Sequence, residues 1–236
     1  MGVARLPTAL VAMDRRFYVG MAIAVALTTF AGFAPTFYLA RLYDAPPLAP
    51  LVVLHGSLFT GWIALLLTQA GLVAAHRVDW HRRLGVAGVG LATALLPVGA
   101  LTAIAAARRG AAPDGLDPLT FMIVPLGSLV LFAAFFAAAV ACRRRPELHK
   151  RLVLLATIGI LTPAIGRLGF VAQRPVLALA LTTLFVVAAI GYDYASRRRV
   201  HPLYLWGGLA ILLSGPLRVL LGRTDLWRSF AAYLVG

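Results

Sequence analysis

Seven long apolar runs limit what this chain can fold into. Each has at least 20 residues, and only short connections separate them: 17–40, 50–75, 84–107, 119–142, 152–172, 176–195 and 202–221. The hydrocarbon core of a bilayer is about 30 Å thick, and a helix needs about 20 residues to cross it. None of the runs alternates apolar and polar residues as the strands of a membrane barrel do. The sequence therefore predicts an all-α bundle of seven transmembrane helices that forms a single domain over residues 1–236.

Composition excludes several other classes of protein. Hydrophobic residues make up 61% of the chain and charged residues 13%, about half the charged share of a soluble domain. The net charge of +14 comes from short clusters between the apolar runs, and no connection is long enough to form a soluble domain. We therefore expect the lipid bilayer as a partner and no nucleic acid. Cys142 is the only cysteine, so the chain can form neither an internal disulfide nor a CxxC metal site.

The positions of the cations predict the orientation of the chain. Cytoplasmic connections of membrane proteins are enriched in Lys and Arg. The segment before the first run and the second, fourth and sixth connections together hold 14 of the 22 cations. We therefore expect a multi-pass protein of the bacterial inner membrane, with a cytoplasmic amino terminus and an external carboxyl terminus. Residues 224–234 carry an aromatic side chain at every third position, which predicts a short interfacial helix.

A six-residue segment occurs twice, at 79–84 and at 147–152. Each copy has an acid, a large apolar residue, a histidine, two cations and a leucine, and each opens an apolar run. An acid suits the first turn of a helix, so His81 and His149 are predicted at the amino-terminal ends of the third and fifth helices. Such ends disfavour a cationic imidazole, and the neutral imidazole is the form that binds metals.

These features predict a b-type haem with His81 and His149 as its axial ligands. Four cations would then lie near the haem propionates: Arg82, Arg83, Lys150 and Arg151. Below His81, small residues at helical spacing leave room for another backbone or for a flat ligand: Gly85, Gly88 and Ala92. The alternative interpretation is that both histidines are merely interfacial and that the cations only follow the charge rule of membrane topology.

The same segments carry a resemblance to known proteins. The motifs HRRLG, from His81, and HKRL, from His149, resemble a group of bacterial multi-spanning proteins of unknown function, over most of the chain from Phe33 onward. More distantly, the pattern is similar to the cytochrome b561 and ferric-reductase-like membrane cytochromes. That second resemblance implies haem binding and electron transfer. Those families usually place histidine pairs well inside their helices and in both leaflets, whereas both histidines here lie at helix starts.

A second group of candidate residues lies toward the opposite end of the predicted bundle. His55 lies near the start of the second helix, Arg167 lies 18 residues after His149, and Arg218 lies near the end of the last helix. Together they form a predicted outer polar cluster suited to an anionic headgroup, a quinone carbonyl or a substrate. The alternatives are a histidine that bonds a backbone carbonyl and an arginine that extends toward the interface. Asp193 is predicted to form an ion pair with the neighbouring arginines or to act in a proton relay.

Three functional hypotheses follow from the sequence. The first is a haem-binding or redox membrane protein centred on His81 and His149. The second is a small transporter, or a lipid- or quinone-binding protein, that uses the outer polar cluster. The third is a non-catalytic accessory subunit of a membrane complex, with another membrane subunit as its partner.

Overall fold

The computed structural model describes residues 8–236, which form helices joined by short connections and contain no strand. The first half consists of α1 (Thr8–Phe33), a π-helical turn (Ala34–Tyr38), a 3₁₀ turn (Ala40–Tyr43), α2 (Pro50–Ala74), α3 (Val78–Arg108) and α4 (Pro118–Ala141). The second half consists of α5 (Pro146–Gly159), α6 (Thr162–Ile165), α7 (Pro175–Arg197), α8 (Pro202–Gly222) and α9 (Asp225–Val235).

Six of these helical segments are long and apolar enough to cross a membrane. They are α1 with its π-helical turn, α2, α3, α4, α7 and α8. Four of them begin with proline at the first or second position, where the missing N–H has no helical partner to lose. The described part of the chain is therefore an all-α, multi-pass membrane protein.

The fifth apolar run differs from the prediction. Instead of one helix over 152–172, α5 ends at Gly159, and hydrogen-bonded turns follow the four-residue α6 up to α7. Pro163 explains the break, because its ring clashes with the carbonyl four residues earlier, which belongs to Gly159. The fifth predicted run is therefore not one unbroken helix, and its crossing of the membrane stays a prediction. The 14 residues of α5 reach only about 21 Å, less than the thickness of the hydrocarbon core.

The broken segment lies at the centre of the bundle. Leu155 and Ile158 of α5 are fully buried and share one apolar cluster with Met21 of α1, Val186 of α7 and Ile211 of α8. The surrounding long helices expose many large apolar side chains, as expected of helices that face lipid. Polar groups on α5 therefore meet protein rather than lipid.

Two contacts show how far the broken segment extends beside α1. Lys150 Nζ lies 2.6 Å from the carboxylate of Asp14 near the start of α1. Toward the end of α1, a Cβ added to Gly32 would lie 2.1 Å from the carbonyl oxygen of Ala164, so this close contact requires glycine. Asp14 and Gly32 are separated by about 27 Å of helix. The α5–α6 segment therefore accompanies α1 over most of its length.

The carboxyl-terminal helix packs against α3 and α4. Thr224 caps α9 by accepting a hydrogen bond from the Trp227 backbone N–H at 3.4 Å, and Trp227 Nε1 donates to the carbonyl of Leu119 at 2.8 Å. Ala231 is fully buried, whereas Tyr233 is exposed. A helix thus occupies Asp225–Val235, close to the predicted range 224–234, and its position among lipid headgroups stays a prediction.

Candidate functional site

The two repeated histidines meet at one end of the bundle. His81 is the fourth residue of α3 and His149 is the fourth residue of α5, so their places at helix starts are as predicted. Their ring centroids are 6.2 Å apart, and the ring planes are nearly perpendicular at 86°. The fold therefore brings together two side chains that are far apart in the sequence.

A backbone carbonyl fixes the tautomer of His149. Its Nδ1 lies 2.9 Å from the carbonyl oxygen of Ala139, in the last turn of α4, where carbonyls lack helical partners. A carbonyl can only accept, so Nδ1 donates its proton to this bond, and Nε2 is the nitrogen left for another partner. Histidines that bind metals are usually held in this way, through the nitrogen that does not bind the metal.

One ring nitrogen of His81 has no hydrogen-bond partner in its surroundings. Among the residues of 8–236, its buried Nδ1 atom has no hydrogen-bond partner, and the same holds for Oε1 of Gln69 on α2. Buried polar atoms without partners are rare in native proteins. The surroundings of His81 therefore suit a further bonding partner for the imidazole.

The small residues below His81 serve helix packing. A Cβ on Gly88 would lie 2.9 Å from the side chain of Leu65, and one on Gly85 would lie 3.7 Å from Nε2 of Gln69. Both contacts come from α2. This strip therefore lets α2 and α3 approach closely, which is the first of the two uses that the sequence left open.

The cations beside the two histidines have different surroundings. Arg82 and Arg83 are exposed, and the guanidinium of Arg83 lies 5.5 Å from the ring centroid of Trp80. Lys150 and Arg151 instead belong to an ionic network that also includes Asp14, Glu147, Asp193 and Arg197. We call these six side chains the ionic network.

The buried pair of Arg151 and Asp193 forms the centre of the ionic network. Only 1% of Arg151 and none of Asp193 is exposed. Arg151 donates through Nη2 and Nε to the two carboxylate oxygens of Asp193, at 2.5 and 3.1 Å, in the two-pronged geometry that suits a guanidinium. Its Nη1 donates to Glu147 Oε2 at 2.8 Å. Both ends of this ion pair are therefore satisfied within the protein.

The rest of the ionic network joins α1 to α5 and α7. Arg197 Nη2 donates to the Asp14 carboxylate at 2.7 and 2.8 Å, and Lys150 Nζ bonds both Asp14 and Glu147. Tyr192 also donates to Asp14. Three carboxylates thus balance three cations, and the ionic network needs no external counter-ion.

Hydrogen bonds hold the charged forms of this network in place. Burial opposes ionisation of Glu147, but bonds from Arg151 and Lys150 outweigh it and lower the pKa of this carboxyl. Burial also opposes the charge on Arg151, yet its bonds to Asp193 and Glu147 raise the pKa of the guanidinium. Both groups therefore stay charged at neutral pH.

Aromatic side chains cover the ionic network. Tyr204 is fully buried, with its ring centroid 5.4 Å from the guanidinium carbon of Arg151. Its hydroxyl lies 2.8 Å from that of Tyr18, and Phe17 stacks on Tyr192 at 3.9 Å. A guanidinium over an aromatic ring gains a further attraction when both are desolvated.

Sequence reasoning identified only part of this network. The ion pair between Asp193 and the following arginines is confirmed by the 3.4 Å contact with Arg197. The principal partner, Arg151, was expected at the haem propionates instead. An acid within an apolar run is costly unless it is paired, and this signal marks Asp193, in the run 176–195, as a residue in need of cations.

The predicted outer cluster is only partly assembled. The Arg167 guanidinium donates to the carbonyl of Pro163 at 3.0 Å and lies 4.8 Å from the ring centroid of Phe33. Arg218 bonds residues of α4 and α8: Val124, Ser128 and Ser214. We find no hydrogen bond within 8–236 that joins Arg218 to His55 or Arg167.

The donor set determines which metal groups the histidine pair suits. Residues 8–236 contain no group of three or more His, Cys, Asp or Glu side chains that could hold a metal ion, so a closed four-ligand zinc site is not present there. Two imidazoles suffice for a haem, because the macrocycle supplies the other four ligands. Comparisons with protein-family models, curated proteins and solved structures give no match to this chain.

Proposed function

We propose that the chain crosses the bacterial inner membrane seven times, with a cytoplasmic amino terminus and an external carboxyl terminus. The contacts of Asp14 and Arg197 with α5 support this arrangement, because they place the start of α1, the start of α5 and the end of α7 together. Residues 146–174 then have to reach the opposite end of the bundle before α7 begins. The broken α5–α6 segment would therefore be the fifth crossing.

We further propose that the protein binds a b-type haem through His81 and His149 and acts in electron transfer. The observation that carries this proposal is the 6.2 Å separation of the two imidazole centroids. His81 and His149 would hold the iron of such a haem through their imidazole nitrogens, and the haem would supply the redox chemistry when bound. The fixed tautomer of His149 and the unpartnered Nδ1 of His81 also favour ligation.

Not every residue first assigned to the haem fits it equally well. Arg82 and Arg83 are exposed and free of carboxylate partners among the described residues, so they suit the propionates. Lys150 and Arg151 are neutralised within the ionic network, and we assign them no propionate. A haem held by two imidazoles supplies one-electron transfer when bound.

An absorption spectrum of the purified full-length protein tests this proposal. After haem-replete expression we expect a Soret band that shifts on reduction and that is lost in His81→Ala and in His149→Ala. His76→Ala, at the same end of the bundle, is the matched control and should keep the band.

Two further observations keep the test decisive. Added imidazole should restore the band in the alanine variants, which separates lost ligation from misfolding. A full-length protein without a Soret band, or variants that retain the band of the parent protein, would refute the haem assignment.

A second candidate function rests on the opposite end of the bundle. Nδ1 of His55 is buried and has no partner among residues 8–236, and Phe59 packs on the imidazole at 4.5 Å. Arg167 is predicted to lie at the same end of the bundle. A histidine donor, a cation and an aromatic face suit a quinone carbonyl or an anionic headgroup. Quinone extracted from the purified protein should fall in His55→Leu but not in Arg174→Gln, and equal amounts in both variants would exclude this function.

A further inference from the structure

A cleft between α1 and α2 lies beside the ionic network and is not part of it. Its volume is about 330 Å³, and it is lined by Ala12, Arg15, Arg16, Val19 and Ala74. The four residues from α1 occupy positions i, i+3, i+4 and i+7, so they form one helical face. The cleft therefore has two cations beside a floor of small apolar side chains.

A histidine holds one of these cations in place. The Arg15 guanidinium donates through Nη1 to Nε2 of His76 at 2.5 Å. His76 is in the left-handed region at φ 62°, in the turn between α2 and α3. The imidazole thus positions the guanidinium of Arg15 without neutralising its charge.

The nearest acid in the sequence does not neutralise these cations. Asp14 precedes Arg15 directly, yet its carboxylate is turned into the bundle, where it bonds Lys150 and Arg197. Among the residues that the structure describes, Arg15 and Arg16 have no carboxylate within ion-pair distance. The cleft therefore has two positive charges that no carboxylate of the described residues balances, so it suits an anion from outside the chain.

We infer that this cleft binds the phosphate of an anionic phospholipid, with an acyl chain along Ala12, Val19 and Ala74. Basic pockets between transmembrane helices are suited to phospholipid headgroups. The apolar floor distinguishes a lipid from a soluble phosphate, since only a lipid brings apolar surface to cover it. This site is separate from the histidine pair and does not depend on haem binding.

Native mass spectrometry of the full chain tests the inference. Protein taken from bilayers of mixed phosphatidylglycerol and phosphatidylcholine should retain phosphatidylglycerol selectively. The double variant Arg15→Gln/Arg16→Gln should lower this retention by about fivefold for each arginine removed. The matched control is Arg143→Gln/Arg144→Gln, which removes two exposed arginines between α4 and α5 and should behave as the parent protein.

Three outcomes would overturn the inference. They are equal retention of the two lipids by the parent protein, unchanged retention in Arg15→Gln/Arg16→Gln, and an equal loss in the control variant. Displacement of the lipid by millimolar inorganic phosphate would assign the cleft to a soluble phosphate and would also overturn it. The thermal unfolding midpoint of each variant, measured in the same detergent, shows whether a loss of lipid comes from misfolding.

Discussion

The two copies of the repeated segment have nearly the same residues and very different surroundings. In the first copy, Trp80, Arg82 and Arg83 are exposed. In the second, Arg151 and Leu152 are buried, at 1% and 5% exposure. The difference comes from distant acids, because Asp14 and Asp193 supply partners only to the second copy. A local motif therefore determines where a helix starts, and the packing of other helices determines whether its cations are exposed or form buried ion pairs.

The largest difference in stability between the two copies is expected when the buried acid Asp193 is removed. We expect Asp193→Ala to lower the free energy of unfolding by about 3 to 5 kcal/mol, because Arg151 would remain buried without its main partner. Arg82→Ala, at an exposed cation of the first copy, should change it by less than about 0.5 kcal/mol. Denaturant titration in mixed micelles measures both, and equal losses would contradict the distinction between the copies.

A double variant checks the physical reason for that loss. Arg151→Met combined with Asp193→Leu removes both charges and keeps most of the side-chain volume, so it should recover much of the stability lost in Asp193→Ala. A double variant as unstable as Asp193→Ala would show that shape, rather than an isolated charge, causes the loss.

Replacing the two histidines should give a smaller difference in stability between the copies. In protein without a bound chromophore, His149→Ala should cost about 1 kcal/mol more than His81→Ala, because only His149 loses a hydrogen bond to a buried backbone carbonyl. The same titration measures this difference. Equal costs would mean that the bond to Ala139 contributes nothing to stability.

The smallest expected effect is a dependence on pH. The folded protein lowers the pKa of Glu147 below its ordinary value of 4.5, so the stabilisation is complete above that value and is lost as the pH falls through the lowered pKa. Below pH 4.5, stability should therefore fall less steeply in Glu147→Gln than in the parent protein. Asp79→Asn, at the matching position of the first copy, is the control, and a parent-like slope in Glu147→Gln would reject this role.

Much of the fold follows directly from the sequence. Six apolar runs are helices of membrane-spanning length, and α3 and α5 begin within three residues of their histidines, because prolines and first-turn acids act locally. The fifth run shows the limit of hydropathy alone, since the break at Gly159 depends on the ring of Pro163. That proline was visible in the sequence, but its effect competes with an otherwise favourable apolar run.

The site was less predictable than the fold. The duplicated segment indicated that His81 and His149 belong together, and their rings are indeed adjacent. It gave no information on Asp14, which pairs with Lys150 across 136 residues. Such a contact depends on how α1 is rotated about its axis, and an apolar run with no polar stripe does not reveal that rotation.

The buried pair of Arg151 and Asp193 has a consequence for how the protein is made. Arg151 leaves the ribosome 42 residues before Asp193, and until α7 emerges its nearest acids are Glu147 and Asp14. Glu147 of the same helix can pair with Arg151 early, but the two-pronged, fully buried contact with Asp193 has to wait for α7. The buried pair therefore forms only when α7 joins the bundle, and the order of synthesis becomes part of the folding pathway.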